Sequence, residues 1–271
     1  MLGRSDPADW RRRIRHLPAP WAEIGSEKVI LTLPSRVVRG LDRPDELMRF
    51  WDRVLDADAD LAARPGERAR PERYVADVQI SAGYMHAGYP IMTHLDAAPR
   101  FVDLETLSRK GDWGMFHELG HNHQSPDWTF AGTTEVTCNL FSLYVLETVC
   151  SKAAPHKALA RKARAKAMRE YKEKGAPFSV WKREPFLALI AYVQLEEAFG
   201  WKAYRKVFAI YRALPRDQRP RTDAAKRDQW MVRFSRAVGR NLGPFFEWWG
   251  IPTTAAARRS IADLPPWMPQ R

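Results

Sequence analysis

Apolar residues recur along this chain in two rhythms, short extended runs near the start and a helical period over most of the rest. Glu27 to Leu33 (EKVILTL) is rich in β-branched and aliphatic residues and stops at Pro34, which predicts a strand. From Pro44 to Ala63, Leu47, Phe50, Trp51, Val54, Leu55 and Leu61 return at helical spacing. They predict an amphipathic helix that Asp42 or a neighbour can cap. A charged Pro/Gly loop over Arg64 to Arg70 separates it from a second strand at Tyr74 to Ile80 (YVADVQI). Gly83, Gly88 and Pro90 then predict a turn, after which IMTHL resumes an extended run.

Beyond Asp112 the period is helical almost throughout. A helix opening near Glu135 carries a stripe of Leu140, Phe141, Tyr144, Val145 and Val149, read as core. Pro155 to Glu173 reads as a strongly basic helix with a solvated face. Pro185 to Phe199 and Trp201 to Leu214 read as a helical pair punctuated by Gly200, followed by helices over Thr222 to Arg240 and Leu242 to Gly250. Residues 1–20 are polar and read as a tail or short helix, then a linker. The expected class is α+β, with a small N-terminal sheet lobe and a mostly helical C-terminal lobe.

With 271 residues and 45% hydrophobic content, the chain can bury a full core as one domain or as two lobes around a cleft. Its net charge of +12 favours acidic partners such as nucleic acid, anionic membrane surface, or sialylated and sulphated glycans. Basic residues spread over a solvated surface are the favoured account of that charge, and no nucleic-acid-binding motif is present, so nucleic acid is not an expected partner. Cys138 and Cys150 lie along one predicted helix and do not form a disulfide framework. The first fifteen residues lack the apolar segment of a signal peptide, and no run reaches the length of a transmembrane helix.

The stretch with candidate chemistry is Asp112 to Asn139, DWGMFHELGHNHQSPDWTFAGTTEVTCN. His117-Glu118-Leu119-Gly120-His121 has the HExxH form. Residues four apart on a helix differ by roughly 40° in direction, so both imidazoles face one way, one turn apart. So placed, they can share one zinc ion, with Glu118 as general base toward the attacking water. Zinc in a hydrolase normally takes three protein ligands. His123 is near but points away from His121 on a continuing helix. Asp127 stands where a second zinc-protease pattern puts its ligand, but that pattern needs glycine where this chain has Gln124. Glu147 sits three turns too far along. Glu135 opens the next helix after a Pro-containing loop, and an antiparallel return brings it to the histidines. The expected metal ligands are therefore His117, His121 and Glu135, with Glu118 as the catalytic base. Asn139 shares the face of Glu135 and can orient that ligand by a hydrogen bond.

GMFHELGHNHQ followed by GTTEVTCNLFSLYV resembles the zinc core of the enhancin-like, mucin-targeting metallopeptidases, the M60 family. APWAEI at 19–24, ILTLPS at 30–35, RPERYVADVQISAGYMHAGYPIMTH at 70–94 and FFEWWGIP at 245–252 agree with it, so the resemblance runs over nearly the whole chain. It implies a zincin-like fold with one zinc, and a catalytic domain over 20–267 after a tail at 1–19. That domain would comprise a sheet lobe at about 20–112, active-site helices at 113–150 and a helical lobe at 151–267. The implied substrate is a protein or glycoprotein, including O-glycosylated mucin-like chains. An extracellular location is implied if the chain belongs to a longer protein. The resemblance extends to vertebrate TRP-channel-associated factors, which implies as an alternative a non-catalytic binding module. Enzymes of this design bind substrate along a strand edging the cleft. On that ground the segment after the second strand is expected above the zinc, where Tyr84, His86 or Tyr89 can donate to the oxyanion. Trp113, Trp128 and Trp181 are candidates for a sugar platform.

Overall fold

The strand-forming runs pair into one five-stranded sheet, seen in a computed structural model that describes residues 1–66, 68–154 and 156–270. Its strands are β1 (Trp21–Gly25), β2 (Val29–Pro34), β3 (Glu72–Asp77), β4 (Met85–His86) and β5 (Ile91–His94), in the order β1-β2-β3-β5-β4. The central β2, β3 and β5 are parallel, whereas β1 and β4 run antiparallel on the two edges. Leu31, Tyr74 and Ile91 stand side by side across the three central strands and are fully buried. The second strand ends at Asp77 rather than Ile80, because the Asp77 carboxylate accepts from the Val78 and Gln79 N–H groups and turns the chain. β1 lies just after the stretch read as a linker, where the patterning predicts no element.

The helices, in chain order, are α1 (Pro7–Arg12), α2 (Ser35–Val38), α3 (Pro44–Leu61), α4 (Leu104–Lys110), α5 (Trp113–His123) and α6 (Thr134–Thr148). They continue as α7 (Arg161–Glu173), α8 (Phe178–Trp181), α9 (Pro185–Arg212), α10 (Asp223–Val238), α11 (Gly243–Trp248) and α12 (Ala255–Arg259). The fold is therefore α+β, as the patterning predicts. The basic helix starts at Arg161 and not at Pro155, which, like Glu67 of the charged loop, lies outside the described residues. Asp42, read with its neighbours as a candidate cap of α3, pairs with Arg15 at 2.7 Å. Among the described residues, no helix is long and apolar enough to cross a membrane.

The chain divides into two compact units. The first, residues 1–59, 64–123 and 141–154, holds the sheet with α3, α5 and the second half of α6. Its centre is aromatic: the Trp51 ring lies 5.5 Å from Tyr74, 5.8 Å from Phe101 and 6.3 Å from Phe116. Burying side chains of this size contributes roughly 1.5–3 kcal/mol each. The second unit, residues 60–63, 124–140 and the remainder from 156, is helical, with a core of Trp128, Tyr204, Phe208, Tyr211, Trp230 and Phe234. Within it α9 bends at Gly200, whose φ of +69° breaks the helix between the two apolar stretches read from the sequence. α6 runs through both units as one unbroken helix.

Candidate metal centre

Helix α5 carries the HExxH motif and is tied down along its length. At its start, Asp112 Oδ1 accepts from the Met115 N–H at 3.1 Å, and Arg100 Nε holds the other carboxylate oxygen at 2.7 Å. Met115, Phe116 and Leu119 turn into the core, and the Tyr74 hydroxyl donates to the Met115 carbonyl at 2.8 Å. At its end, Asn122 Nδ2 donates to Glu72 and to the Gly88 carbonyl, both at 3.0 Å, while Oδ1 accepts from the Gly88 N–H at 3.2 Å. One side chain thus fastens the turn between β4 and β5 to the residue that follows His121.

The opposite face of α5 presents His117 and His121, both half-buried. Their Nε2 atoms lie 3.1 Å apart and their rings are nearly perpendicular, at 87°. Two nitrogens bound tetrahedrally to zinc at ~2.0–2.1 Å stand roughly 3.4 Å from each other, so the pair is close to the spacing that zinc requires. Glu118 is buried beside them along the chain.

The C-terminal half of α6 packs in the same unit as α5. The Phe141 ring lies 6.0 Å from that of His123. Gly111, between α4 and α5, takes φ +70°, and a side chain there would meet Leu146 at 2.5 Å and Phe116 at 2.7 Å. The first turns of α6 carry Glu135 and Cys138. Ligand atoms of His117, His121, Glu135 and Cys138 all lie within 4.8 Å of one another. Two imidazoles, a carboxylate and a thiol form a donor set suited to a transition metal, and zinc fits it well.

The structure thus brings together the three side chains expected as ligands, and adds a fourth donor. The cluster takes in neither His123, Asp127 nor Glu147. His123 is buried with Nδ1 on the Leu119 carbonyl at 2.9 Å, and Asp127 stands 3.6 Å from Arg219. Asn139 Nδ2 bonds the Glu135 main-chain carbonyl at 2.8 Å, holding the backbone of that residue. Around β4, Tyr84 stacks on His94 at 5.7 Å with its hydroxyl facing Asp96 and Arg100. His86 has both ring nitrogens engaged, by Ser81 Oγ and the Ala87 carbonyl. The Tyr89 ring lies under the Arg70 guanidinium at 3.4 Å.

The sugar-platform expectation is corrected for two tryptophans. Trp128 is 1% exposed and Trp181 is buried completely, each stacked in the second unit's core on Phe208 and Phe130, respectively. Cys138 and Asn122 were missed. A signal for Cys138 is present in its spacing, three residues after Glu135 and so on one helical face with it.

The model of Peptidase M60, enhancin and enhancin-like proteins matches residues 1–250. The chain belongs to this family. TRPM8 channel-associated factor 2 of Bos taurus is 45% identical over 269 residues, 98% of this chain, but the chain spans only 29% of that relative's length. Among solved structures, a functionally unknown conserved protein of Bacillus anthracis aligns with TM-score 0.84 and 28% identity, over 98% of this chain and 56% of that one. A metallopeptidase from Bacteroides thetaiotaomicron aligns with TM-score 0.75 at 16% identity, over 97% of this chain and 50% of its own. IMPa of Pseudomonas aeruginosa, solved with an O-glycopeptide, aligns with TM-score 0.70 at 19% identity, over 98% and 38%. The last two likenesses show the M60 fold alone.

Proposed function

We propose that this chain is a zinc-dependent endopeptidase of proteins or glycoproteins, with O-glycosylated, mucin-like chains as its substrate class. The observation that carries the reading is the gathering of His117, His121 and Glu135 donor atoms around one point beside the buried Glu118. Membership of the M60 family supports it, and the glycopeptide held by a structural neighbour motivates the substrate class. The catalytic domain proposed is 20–267.

In this reading His117 and His121 present Nε2, and Glu135 a carboxylate oxygen, to zinc. Bound there, zinc would polarise the scissile carbonyl and acidify the attacking water. Glu118 accepts the proton of that water as its oxygen bonds to the carbonyl carbon, then delivers it to the departing amine nitrogen as the C–N bond breaks. Asp112, Tyr74 and Asn122 hold α5, and with it the two imidazoles, in place. Tyr84 and Tyr89 remain the proposed donors to the oxyanion, whereas His86, with both ring nitrogens engaged by Ser81 and the Ala87 carbonyl, is not one.

The test compares the wild type with Glu118→Gln on an O-glycosylated mucin fragment and on its deglycosylated form. The proposal expects equal zinc in both proteins and cleavage by the wild type alone. Zinc-loaded wild type that cleaves neither substrate would count against it. That result would favour a second reading, a binding module without catalysis, which the 45% identity to a TRPM8 channel-associated factor motivates. Its partner would then be sought among membrane-channel proteins.

A further inference from the structure

The sulfur of Cys138 lies within 4.8 Å of the ligand atoms of His117, His121 and Glu135. Its residue is fully buried and its sulfur is in no disulfide. We propose that Cys138 is a fourth protein ligand that closes the metal site at rest. The inference rests on the zinc-site reading above and deepens it.

The geometry has a simple helical cause. Glu135 and Cys138 are three residues apart on α6, roughly 60° from each other around the axis, so both side chains lean to one face. The two histidines use the same device on α5, four residues apart. Two helices therefore each give two donors to a common point. The donor chemistry agrees: thiolate sulfur is a preferred zinc ligand at ~2.3 Å, and sites with four protein ligands are closed, whereas catalytic sites keep one position open. The other cysteine makes the contrast. Cys150 sits just beyond the far end of α6, donates to the Leu107 carbonyl at 3.4 Å and belongs to no group of three or more metal-ligating side chains among the described residues.

Closure has a definite chemical course. When metal binds, the Cys138 S–H bond breaks, a sulfur–metal bond forms and the proton leaves to solvent. Opening would reverse this: the sulfur would leave the metal and take a proton back, and the site would keep three protein ligands. Cys138 is thus a gate on the site, and anything that occupies its sulfur favours the open form.

The probe is cobalt(II), which fills zinc sites and reports its ligands by colour. Wild type, Cys138→Ser and Cys150→Ser are each loaded with cobalt, the bound metal is counted, and near-ultraviolet spectra are recorded. The proposal expects one cobalt per chain in all three. It expects a thiolate-to-cobalt charge-transfer band in wild type and Cys150→Ser, and loss of that band in Cys138→Ser. A second measurement needs no variant: iodoacetamide labelling of Cys138, followed by peptide mass, is slowed by bound metal, while labelling of Cys150 is unchanged. One bound cobalt with no charge-transfer band and no protection of Cys138 would overturn the fourth-ligand proposal and leave the three-ligand site standing. Wild type that binds no cobalt would overturn the site itself, and the two failures are told apart by the metal count.

Discussion

Asp58 offers a sharp test of how the sheet unit is built. It sits on α3 with its whole side chain buried, and neither carboxylate oxygen has a hydrogen-bond partner among the described residues. Burial pushes its pKa well above the usual carboxylate value of 3.8; Arg68 opposes the shift and Glu72 adds to it. The sign follows from linkage. The folded chain keeps a proton that the unfolded chain releases, so the folded state binds more protons and stability falls as pH rises above 3.8 toward the folded-state pKa. Through that window the slope approaches about 1.4 kcal/mol per pH unit for one proton. Asp58→Asn keeps the shape and removes the titration. The variant should match wild type near pH 4 and gain on it steadily as pH rises. The orphaned polar group, common to both, costs roughly 1–3 kcal/mol in each and cancels. Urea unfolding followed by tryptophan fluorescence from pH 4 to 7.5, with chelator present throughout, measures the difference. Parallel pH–stability curves for the two proteins would refute the reasoning, because a carboxyl that ionises equally in both states contributes no slope.

Other consequences are as direct. Asn122→Ala removes three hydrogen bonds, two of them to Gly88, and should cost about 2–3 kcal/mol while raising hydrogen exchange at residues 85–90 before other strands open. Gly111→Ala meets both a positive φ and contacts under 3 Å with Leu146 and Phe116, so it should destabilise by more than about 1–3 kcal/mol and lower thermal midpoint and metal affinity together. Trp128→Leu should reduce stability by about 2–4 kcal/mol through lost core packing. It should leave affinity for a glycosylated substrate, measured on the folded fraction, unchanged.

The parts of the fold legible in the sequence are those where one periodicity runs long enough to be unambiguous. Helix α3 shows its apolar face over five turns, and the two halves of α9 are separated by the one residue type that tolerates φ +69°. β1 escaped notice because Trp21–Gly25 is a five-residue edge strand with only its last residues buried, which leaves almost no alternation to read. The start of α7 slipped from 155 to 161 because its charged composition gives no apolar stripe, and Ala160 offers no side-chain cap. In the site, HExxH announces itself through spacing within one helix. The approach of Glu135 depends on where a second helix returns, and a return direction leaves only a loop length in the sequence. Cys138 is harder to read for another reason: a cysteine in an apolar stripe reads as core, and its one sequence signal, the spacing from Glu135, gains chemical meaning only from its nearness to three other donors. Trp128 and Trp181 teach the converse, since proximity to a motif in sequence left both of them in a core.

The measurement that tests the central claim most directly is metal content after zinc reconstitution, for wild type beside His121→Ala and Glu135→Ala, with folding checked by circular dichroism. The account predicts one zinc per wild-type chain, with retention after extensive dialysis lost in both folded variants. Equal zinc in all three, or none in the wild type, would contradict it.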